Sequence, residues 1–311
     1  MPRPNPPALL RRCLMAVFTQ ACVPDRVLVI DNASGAATRN AVLAFPRAEH
    51  IRLDVNVGGA GGFCAGMQAA LACGAVFMWL MDDDGWPREP DCLARLLAGG
   101  AGYDIVAPLV LDEDDPRNLA FPLRIGGRTL FKAEAAQARG AIGGLAHLFN
   151  GALIAADLVR RVGPPDPRFF MHGDEVEFLA RARRAGARIA LLSAVEFMHP
   201  GSAPELHPIM GGLYYAVVPR AAAKRVLQFR KRGFIFRHHG QWAYLLADAV
   251  RYGWYYLITS RGDFGGFAGW CEATWSGVRG GMGLAPAEPT PNAPRTEIAS
   301  SRAVSAESFS P

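Results

Sequence analysis

Short apolar runs alternate with helix-like segments over the first two thirds of the chain. Five runs have the length and residue types of buried strands, at 26–30, 75–81, 103–111, 147–155 and 188–192. Apolar residues spaced three and four apart predict helices at 8–19, 66–73, 91–98, 156–162 and 175–185. This alternation is typical of an α/β fold, and it predicts a mostly parallel sheet flanked by helices.

The pattern changes after residue 208. Basic, aromatic-rich segments at 213–232 and 241–260 have helical spacing, whereas the residues from 284 onward are rich in Pro, Ala and Ser. We therefore expect an α/β domain over residues 1–208, a helical extension over 209–283 and a disordered tail over 284–311. For the long polar stretch at 112–144 the pattern predicts no particular structure.

The composition is that of a globular protein, with 50% hydrophobic and 20% charged residues in a chain of 311. No apolar stretch reaches the roughly 18 to 20 residues of a membrane-spanning helix, since Asp248 and Arg251 interrupt the nearest candidate. The first residues lack a secretory pattern, and the six scattered cysteines form no CxxC pair. These features predict a cytoplasmic protein with reduced cysteines.

The net charge is +5, and basic residues are concentrated between 224 and 237. No nucleic-acid-binding motif accompanies them, so nucleic acid is not expected as a partner. An anionic membrane surface and a phosphate-bearing acceptor explain this charge equally well. In the first case the protein would lie as a peripheral protein at the inner face of the cell membrane.

Three adjacent carboxylates, Asp82, Asp83 and Asp84, directly follow the apolar run 75–81. Acidic triplets are most often solvated loop charges. A strand end, however, lies at the sheet edge where ligands bind in open α/β folds, and Asp31 follows another predicted strand at that edge. Adjacent carboxylates repel one another unless a cation lies among them, and oxygen ligands suit Mg²⁺ or Mn²⁺. The triplet therefore predicts a cation site.

A glycine-rich phrase begins at Asn56. Glycines in such a run let backbone amides approach an anion closely, and a helix is predicted just after them. A flexible loop is the simpler alternative. The dinucleotide fingerprint GxGxxG is not met, because Cys64 stands where its last glycine is needed, and this disfavours an NAD-dependent enzyme. The glycines are Gly58, Gly59, Gly61 and Gly62.

Asp174 and Glu175 open a predicted helix, and His199 follows the next strand. Acidic residues in a first helical turn are stabilised by the helix dipole, so a helix-start role is the default interpretation. The same field keeps a carboxylate ionised at neutral pH, which suits a general base. A lone histidine is more often structural than a metal ligand.

Taken together and in this order, these segments resemble family 2 glycosyltransferases with the GT-A fold, a Rossmann-like domain for nucleotide-diphospho-sugars. The glycine phrase followed by three aspartates looks like the galactofuranosyl- and rhamnosyltransferase-like branch. The resemblance implies inverting, metal-assisted transfer of a galactofuranose- or rhamnose-type sugar in cell-wall or polysaccharide biosynthesis. The implied donor is a UDP- or dTDP-sugar, and the implied acceptor is a glycan or a lipid-linked molecule.

The resemblance also implies roles for single residues. Asp31 and Asn56 would contact the nucleoside, and the four glycines would approach the diphosphate. Asp82 and Asp84 would handle the ribose and the metal, with Asp83 beside them. His199 would complete the metal shell. Glu175 matches the position of the catalytic base, which is commonly Asp in the family, and Asp174 is its rival.

Family members begin with a strand that ends in a Thr-Tyr-Asn-Arg-like turn around the base. Residues 1–7 stand where that turn ends, so this first strand is expected to be missing. Its absence would leave backbone groups unpaired beside the nucleotide site. It motivates an alternative function, a truncated, non-catalytic sugar-nucleotide-binding protein. A nucleotidyltransferase would need a Gly-rich, lysine-bearing N-terminal loop, which this sequence lacks.

Overall fold

The computed structural model describes residues 6–201 and 205–282. Five strands of its central sheet lie side by side, in an order that differs from their order along the chain. They are β3 (Phe77–Met81), β9 (Asn150–Ala155), β5 (Ile105–Asp112), β10 (Ile189–His199) and β4 (Trp86–Pro87). The expected runs at 26–30, 75–81, 103–111, 147–155 and 188–192 all contain strands.

The strand directions differ from the expectation of a mostly parallel sheet. β5 and β10 are parallel, but β9 runs antiparallel to both β3 and β5. The stretch 112–144 contributes further antiparallel strands, β6 (Asn118–Ile125), β7 (Arg128–Lys132) and β8 (Ala141–Gly143). β6 and β7 form a hairpin whose two turn glycines both have positive φ, as a two-residue turn of type I′ requires. The sheet is therefore mixed.

β1 (Val27–Asp31) and β2 (Ala48–Arg52) form a separate parallel pair, joined through α2 (Ala36–Leu43). Within the described ranges, neither strand pairs with β3. β3 is thus an edge strand, and Phe77 at its start is 48% exposed. The expectation that the family's first strand is missing stays a prediction.

Helices cover the central sheet. α1 (Pro6–Phe18) packs on α2, and the remaining helices of this part are α3 (Gly58–Ala72), α4 (Cys92–Gly99), α5 (Ala133–Gln137), α6 (Ala156–Val162) and α7 (Asp174–Arg184). The largest core cluster joins α3, α6 and α7 to β9 and β5 through buried apolar side chains, among them Met67, Leu158 and Phe178. α3 begins eight residues before the predicted start, because the glycine phrase itself is helical.

The C-terminal part begins with a hairpin of β11 (Leu206–Ile209) and β12 (Tyr214–Val217), so the predicted helix at 213–232 is wrong over its first residues. It continues with α8 (Ala222–His238), α9 (Trp242–Gly253), a π-helical turn (Trp254–Thr259) and α10 (Phe264–Val278). α8 and α10 are in backbone contact, since a Cβ on Gly277 would lie 1.7 Å from the carbonyl oxygen of Arg230. The α/β fold with a helical extension is confirmed; the predicted tail at 284–311 lies outside the described residues.

Candidate active site

The acidic triplet lies where β3 ends. The backbone N–H of Asp82 donates to the carbonyl oxygen of Phe149 at 2.9 Å, which fixes the start of the triplet against the chain segment that leads into β9. Asp82 and Asp83 are exposed to solvent. Partial desolvation by the surrounding protein, followed by repulsion from Asp84, raises the pKa of Asp82 to about 7. The same two causes raise the pKa of Asp83. The triplet therefore concentrates negative charge that protein cations only partly offset.

His199 lies at the end of β10 and faces the triplet. Its Nε2 is 3.1 Å from Oδ1 of Asp84, and its Nδ1 is 2.8 Å from the carbonyl oxygen of Pro200. Because a carbonyl only accepts, Nδ1 carries a proton, and Nε2 is the ring atom turned toward the acids. Burial lowers the pKa of His199, but hydrogen bonding and charge from Asp84 outweigh it, and the net shift is upward. Sequence reasoning placed these residues in one site, and the structure brings them together.

This set of donors suits a divalent cation. Carboxylates from Asp82 and Asp84 with one imidazole nitrogen are ligands that Mg²⁺ and Mn²⁺ accept. The carbonyl bound to Nδ1 of His199 is the kind of outer partner that fixes the tautomer of a metal-binding histidine. Desolvation is the largest cause of the raised pKa of Asp82, and repulsion from Asp84, which a cation would relieve, adds to it. The chemistry of these residues therefore suits such an ion, although in the described part of the chain their ligand atoms do not form a group within 4.8 Å of one another.

Glu177, His238 and His239 form a second group whose ligand atoms lie within 4.8 Å of one another. Nε of Arg181 donates to both oxygens of Glu177, at 2.8 and 2.9 Å. That guanidinium already neutralises the carboxylate, so this group is less suited to a cation than the triplet is.

The glycine phrase is a packed helix start and not a flexible loop. The N–H of Gly58 donates to Oδ1 of Asn56 at 2.9 Å, and the N–H of Ala60 donates to the carbonyl oxygen of Phe170 at 3.1 Å. Gly58 has φ +72°, and a Cβ there would lie 2.0 Å from that same oxygen. The amide of Gly58, which was expected to face a diphosphate, and the amide of Ala60 are thus bonded within the protein. Gly59 remains exposed, with open space around it.

The other two glycines of the phrase lie on the inner side of this helix start. A Cβ on Gly61 would lie 2.4 Å from the side chain of Val57, and one on Gly62 would lie 3.4 Å from the amide nitrogen of Asn32. The close approach of Val57 explains the need for glycine at 61, whereas 62 has ordinary room.

Asn32 is a site residue that sequence reasoning missed. Its Oδ1 accepts from the N–H of Val57 at 3.0 Å, and its Nδ2 donates to the carbonyl oxygen of Gly58 at 2.8 Å. One side chain after β1 therefore fixes the entry into α3. The available signal was the turn-rich cluster at 31–35, which predicts a turn but not its distant partner.

The carboxylate of Asp31 is bound by neighbouring residues of the protein. Its carboxylate accepts from the N–H of Ser34 at 2.7 Å and from Arg52 at 2.9 Å, and it pairs with Nε2 of His50 at 2.9 Å. Burial alone would raise the pKa of Asp31, but the bonds from Ser34 and His50 and the charge of Arg52 bring it below the usual value. In this geometry the side chain organises the turn after β1. A contact with the nucleoside stays a prediction from the resemblance.

Asp174 and Glu175 form the first turn of α7. Asp174 is 6% exposed, and its charge contributes to the raised pKa of Asp82, which places the two acids within electrostatic reach. Oε1 of Glu175 accepts from the N–H of Leu148 at 2.5 Å. Burial, the largest cause, raises the pKa of Glu175 to about 7. A carboxyl group with this pKa is matched to proton transfer near neutrality.

One short segment connects these groups. Leu148 binds Glu175, and Phe149 binds the backbone of Asp82. The ring of Phe149 also stacks on Phe63 of the glycine phrase, with 3.8 Å between ring centroids. The triplet, the acid pair and α3 thus share residues 148–149 as a common support, which the apolar sequence pattern of this strand did not reveal.

Aromatic and polar side chains behind His199 were also missed. The ring of Phe121 lies 4.9 Å from the rings of both His147 and His199, measured between centroids. Burial lowers the pKa of His147 to about 4, so this ring is neutral. Its Nε2 and Oδ1 of Asn150 are buried without a hydrogen-bond partner. Both atoms belong to the segment that supports the acids, where the sequence pattern indicated an ordinary strand.

Comparison with known proteins shows the family of the chain. The profile of the glycosyl transferase family 2 matches residues 1–151, which include the glycine phrase and the aspartate triplet. The galactofuranosyltransferase GlfT1 of Mycolicibacterium smegmatis is 38% identical over 280 residues, covering 87% of this chain and 92% of the relative. The chain belongs to glycosyltransferase family 2. It is therefore a glycosyltransferase that takes its sugar from a nucleotide donor, as the resemblance implied.

One further relative agrees with this assignment, and one solved structure shares the fold. GlfT1 of Mycobacterium tuberculosis is 37% identical over 265 residues, covering 82% of this chain and 86% of the relative. Among solved structures, residues 1–349 of Staphylococcus aureus TarS in complex with UDP have a TM-score of 0.52 at 14% identity. That similarity covers 76% of this chain and 62% of the TarS chain, and it supports the GT-A fold alone.

Proposed function

We propose that this chain is an inverting, metal-assisted galactofuranosyltransferase with a nucleotide-activated donor. The observation that carries the proposal is the convergence of two acidic groups on residues 148–149: Glu175 binds Leu148, and Asp82 binds Phe149. One group supplies metal-type ligands and the other a base of suitable pKa. The galactofuranosyl specificity of the GlfT1 relatives supports galactofuranose over rhamnose.

In this proposal Asp82, Asp84 and His199 would hold Mn²⁺ or Mg²⁺, with Asp83 beside them. When bound, such an ion would supply positive charge to offset the negative charge of the departing diphosphate. Asn56 and Asp31 line the nucleoside side, and Gly59 offers the most open approach to the diphosphate along the glycine phrase. Electrostatic stabilisation of this kind contributes several kcal/mol in sites with fixed charges.

Glu175 is proposed as the general base. Its carboxylate takes the proton of an acceptor hydroxyl, and the hydroxyl oxygen attacks the anomeric carbon from the face opposite the nucleotide. The bond from that carbon to the diphosphate oxygen breaks, and the nucleoside diphosphate leaves with the electron pair. A pKa of about 7 suits this task. Asp174 is the alternative base, because it lies within electrostatic reach of Asp82.

A lipid-linked acceptor would bring the protein to a membrane surface. No helix in the described part of the chain is long and apolar enough to cross a bilayer. From 242 to 259, however, every exposed side chain is uncharged, and this face includes Trp242, Tyr244 and Ile258 at 50, 62 and 56% exposure. Exposed residues of both charges follow, Arg261, Asp263, Glu272 and Arg279. Tryptophan and tyrosine suit the interface between a bilayer and water.

Nucleotide release tests the proposal. UDP-galactofuranose and dTDP-rhamnose would each be incubated with the protein, Mn²⁺ and a lipid-linked acceptor, with and without a chelator. We expect acceptor-dependent release of UDP that the chelator abolishes. Asp84→Asn should lose this activity, whereas Asp25→Asn, an exposed aspartate before β1, should keep it. Binding of UDP without turnover by any donor would instead support a non-catalytic binding protein.

The membrane contact has its own test. Co-sedimentation with vesicles that contain anionic lipid should recover the protein, and replacing Trp242, Tyr244 and Ile258 with serine should release it. Equal recovery of both proteins would contradict a role of this face.

A further inference from the structure

Lys231 of α8 is a buried charge that the proposed chemistry does not use. Its side chain is 1% exposed, although a lysine is rarely buried unless its charge is satisfied. Its Nζ donates to the carbonyl oxygens of Phe169 and Met171. Both acceptors belong to the turn before α7, which is more than 50 residues away along the chain. This lysine therefore joins the C-terminal helices to the part of the fold that carries the acid pair.

The turn held by Lys231 has an unfavourable backbone. Phe170 and His172 have φ of +58° and +63°, a region that side chains other than glycine seldom adopt, and Gly173 has φ +86°. Each non-glycine residue in such a conformation costs roughly 1 to 3 kcal/mol unless its surroundings hold it there. The two carbonyls that accept from Nζ flank the first of these residues. The ammonium group is thus a specific support for the strained turn.

The same turn contacts both halves of the candidate site. The carbonyl oxygen of Phe170 accepts from Ala60 at 3.1 Å and packs so closely on Gly58 that no Cβ fits between them. At its other end the turn leads directly into Asp174 and Glu175. The charge of Lys231 lowers the pKa of Asp174 against the larger effect of burial. A shift of the turn would therefore move the acid pair relative to the start of α3.

We propose that Lys231 is a positioning residue, which holds the turn 169–173 and thereby fixes the acid pair relative to the glycine helix. The helical extension is then part of the catalytic unit and not an appendage. The expected effect of Lys231 on kcat rests on the proposed function. Its expected effect on the turn 169–173 does not depend on turnover.

The test compares Lys231→Met with Lys224→Met. Lys224 lies on the same helix and has an exposed side chain. Its charge lowers the pKa of His172 in the turn 169–173, so the Lys224 variant controls for the loss of one positive charge near this turn. Lys231→Met should lower kcat at least about tenfold, as misplaced catalytic groups do. The KM for the donor should change less than about threefold, because the contacts of Asp82 and Asp84 are untouched. Lys224→Met should change neither.

Hydrogen–deuterium exchange provides the readout without activity. In Lys231→Met, peptides that cover 169–175 should exchange faster, while peptides from β9 keep the wild-type rate. Lys231→Gln, which retains N–H donors, serves if the methionine variant does not fold, and it should show an intermediate effect. Unchanged exchange at 169–175, or a kcat within twofold of wild type, would overturn the proposal. Inactive wild-type protein with faster local exchange in the variant would count against the proposed function only.

Discussion

Adjacent glycines in the first turn of α3 should respond in opposite ways to alanine. Gly58 is buried at φ +72°, and a Cβ there would lie 2.0 Å from the carbonyl oxygen of Phe170. Alanine in a left-handed conformation costs about 1 to 2 kcal/mol. Pushing the carbonyl away adds about 1 to 3 kcal/mol of overpacking and about 1 kcal/mol for its lost bond to Ala60. Gly58→Ala should thus reduce the free energy of unfolding by about 3 to 6 kcal/mol.

Gly59→Ala is the matched control. Nothing lies within 4 Å of a Cβ at that position, and its φ is not left-handed. Alanine in a helix is favoured over glycine by up to about 1 kcal/mol, so this variant should be neutral or slightly more stable. Equilibrium urea denaturation of both variants, with the m-values compared, measures the difference. Equal stabilities would refute the contact between α3 and the turn 169–173, and with it the geometry of the site.

Three further predictions concern the acids and the entry into α3. In steady-state assays, Glu175→Gln should lower kcat by about 10² to 10⁴-fold, with the KM for the donor little changed. Its loss of kcat should exceed that of Asp174→Asn. A larger loss in Asp174→Asn would make Asp174 the base. In the wild type, kcat should fall as the pH drops through about 7, because this is the raised pKa of Glu175. A kcat that falls only below pH 5 would contradict this assignment. Because this pKa lies above the unfolded value of 4.5, the folded state binds more protons between pH 4.5 and 7, so this group's contribution to stability falls as the pH rises through that window. Asn32→Ala removes the two bonds to Val57 and Gly58 and should cost about 1 to 3 kcal/mol in urea denaturation, whereas an unchanged midpoint would show that the turn needs no such support.

The pairing of Asp84 with His199 was predicted through the family resemblance. Asp84 follows β3 and His199 ends β10, and the carboxyl ends of strands that run in the same direction lie at one edge of the sheet. The family resemblance added the roles, because no single motif distinguishes a metal site from a solvated turn.

The start of α3 was not predicted, because glycine has a low intrinsic helix propensity. Its helix is completed by contacts with Phe170, more than 100 residues later, and by Asn32 on another strand end. Such partners depend on the tertiary fold, and no local pattern contains them. The β6–β7 hairpin is a different case. Gly126 and Gly127 are a recognised turn signal, and the sequence contained enough to predict it.

Lys231 was visible in the sequence only as one member of a basic cluster. Its neighbours Arg230 and Arg232 suggested a solvated or anion-binding surface, whereas the structure buries the lysine against two backbone carbonyls. A helical pattern does not distinguish these cases, because the acceptors come from a distant turn with unusual dihedral angles.

The stereochemistry of the product tests the central claim most directly. The protein would be given UDP-galactofuranose, Mn²⁺ and a lipid-linked acceptor, and the anomeric configuration of the new linkage would be determined by NMR. Displacement by a single attack, with Glu175 as base, predicts the configuration opposite to that of the donor. A product that retains the donor configuration, or free galactofuranose with no new linkage, would contradict the account.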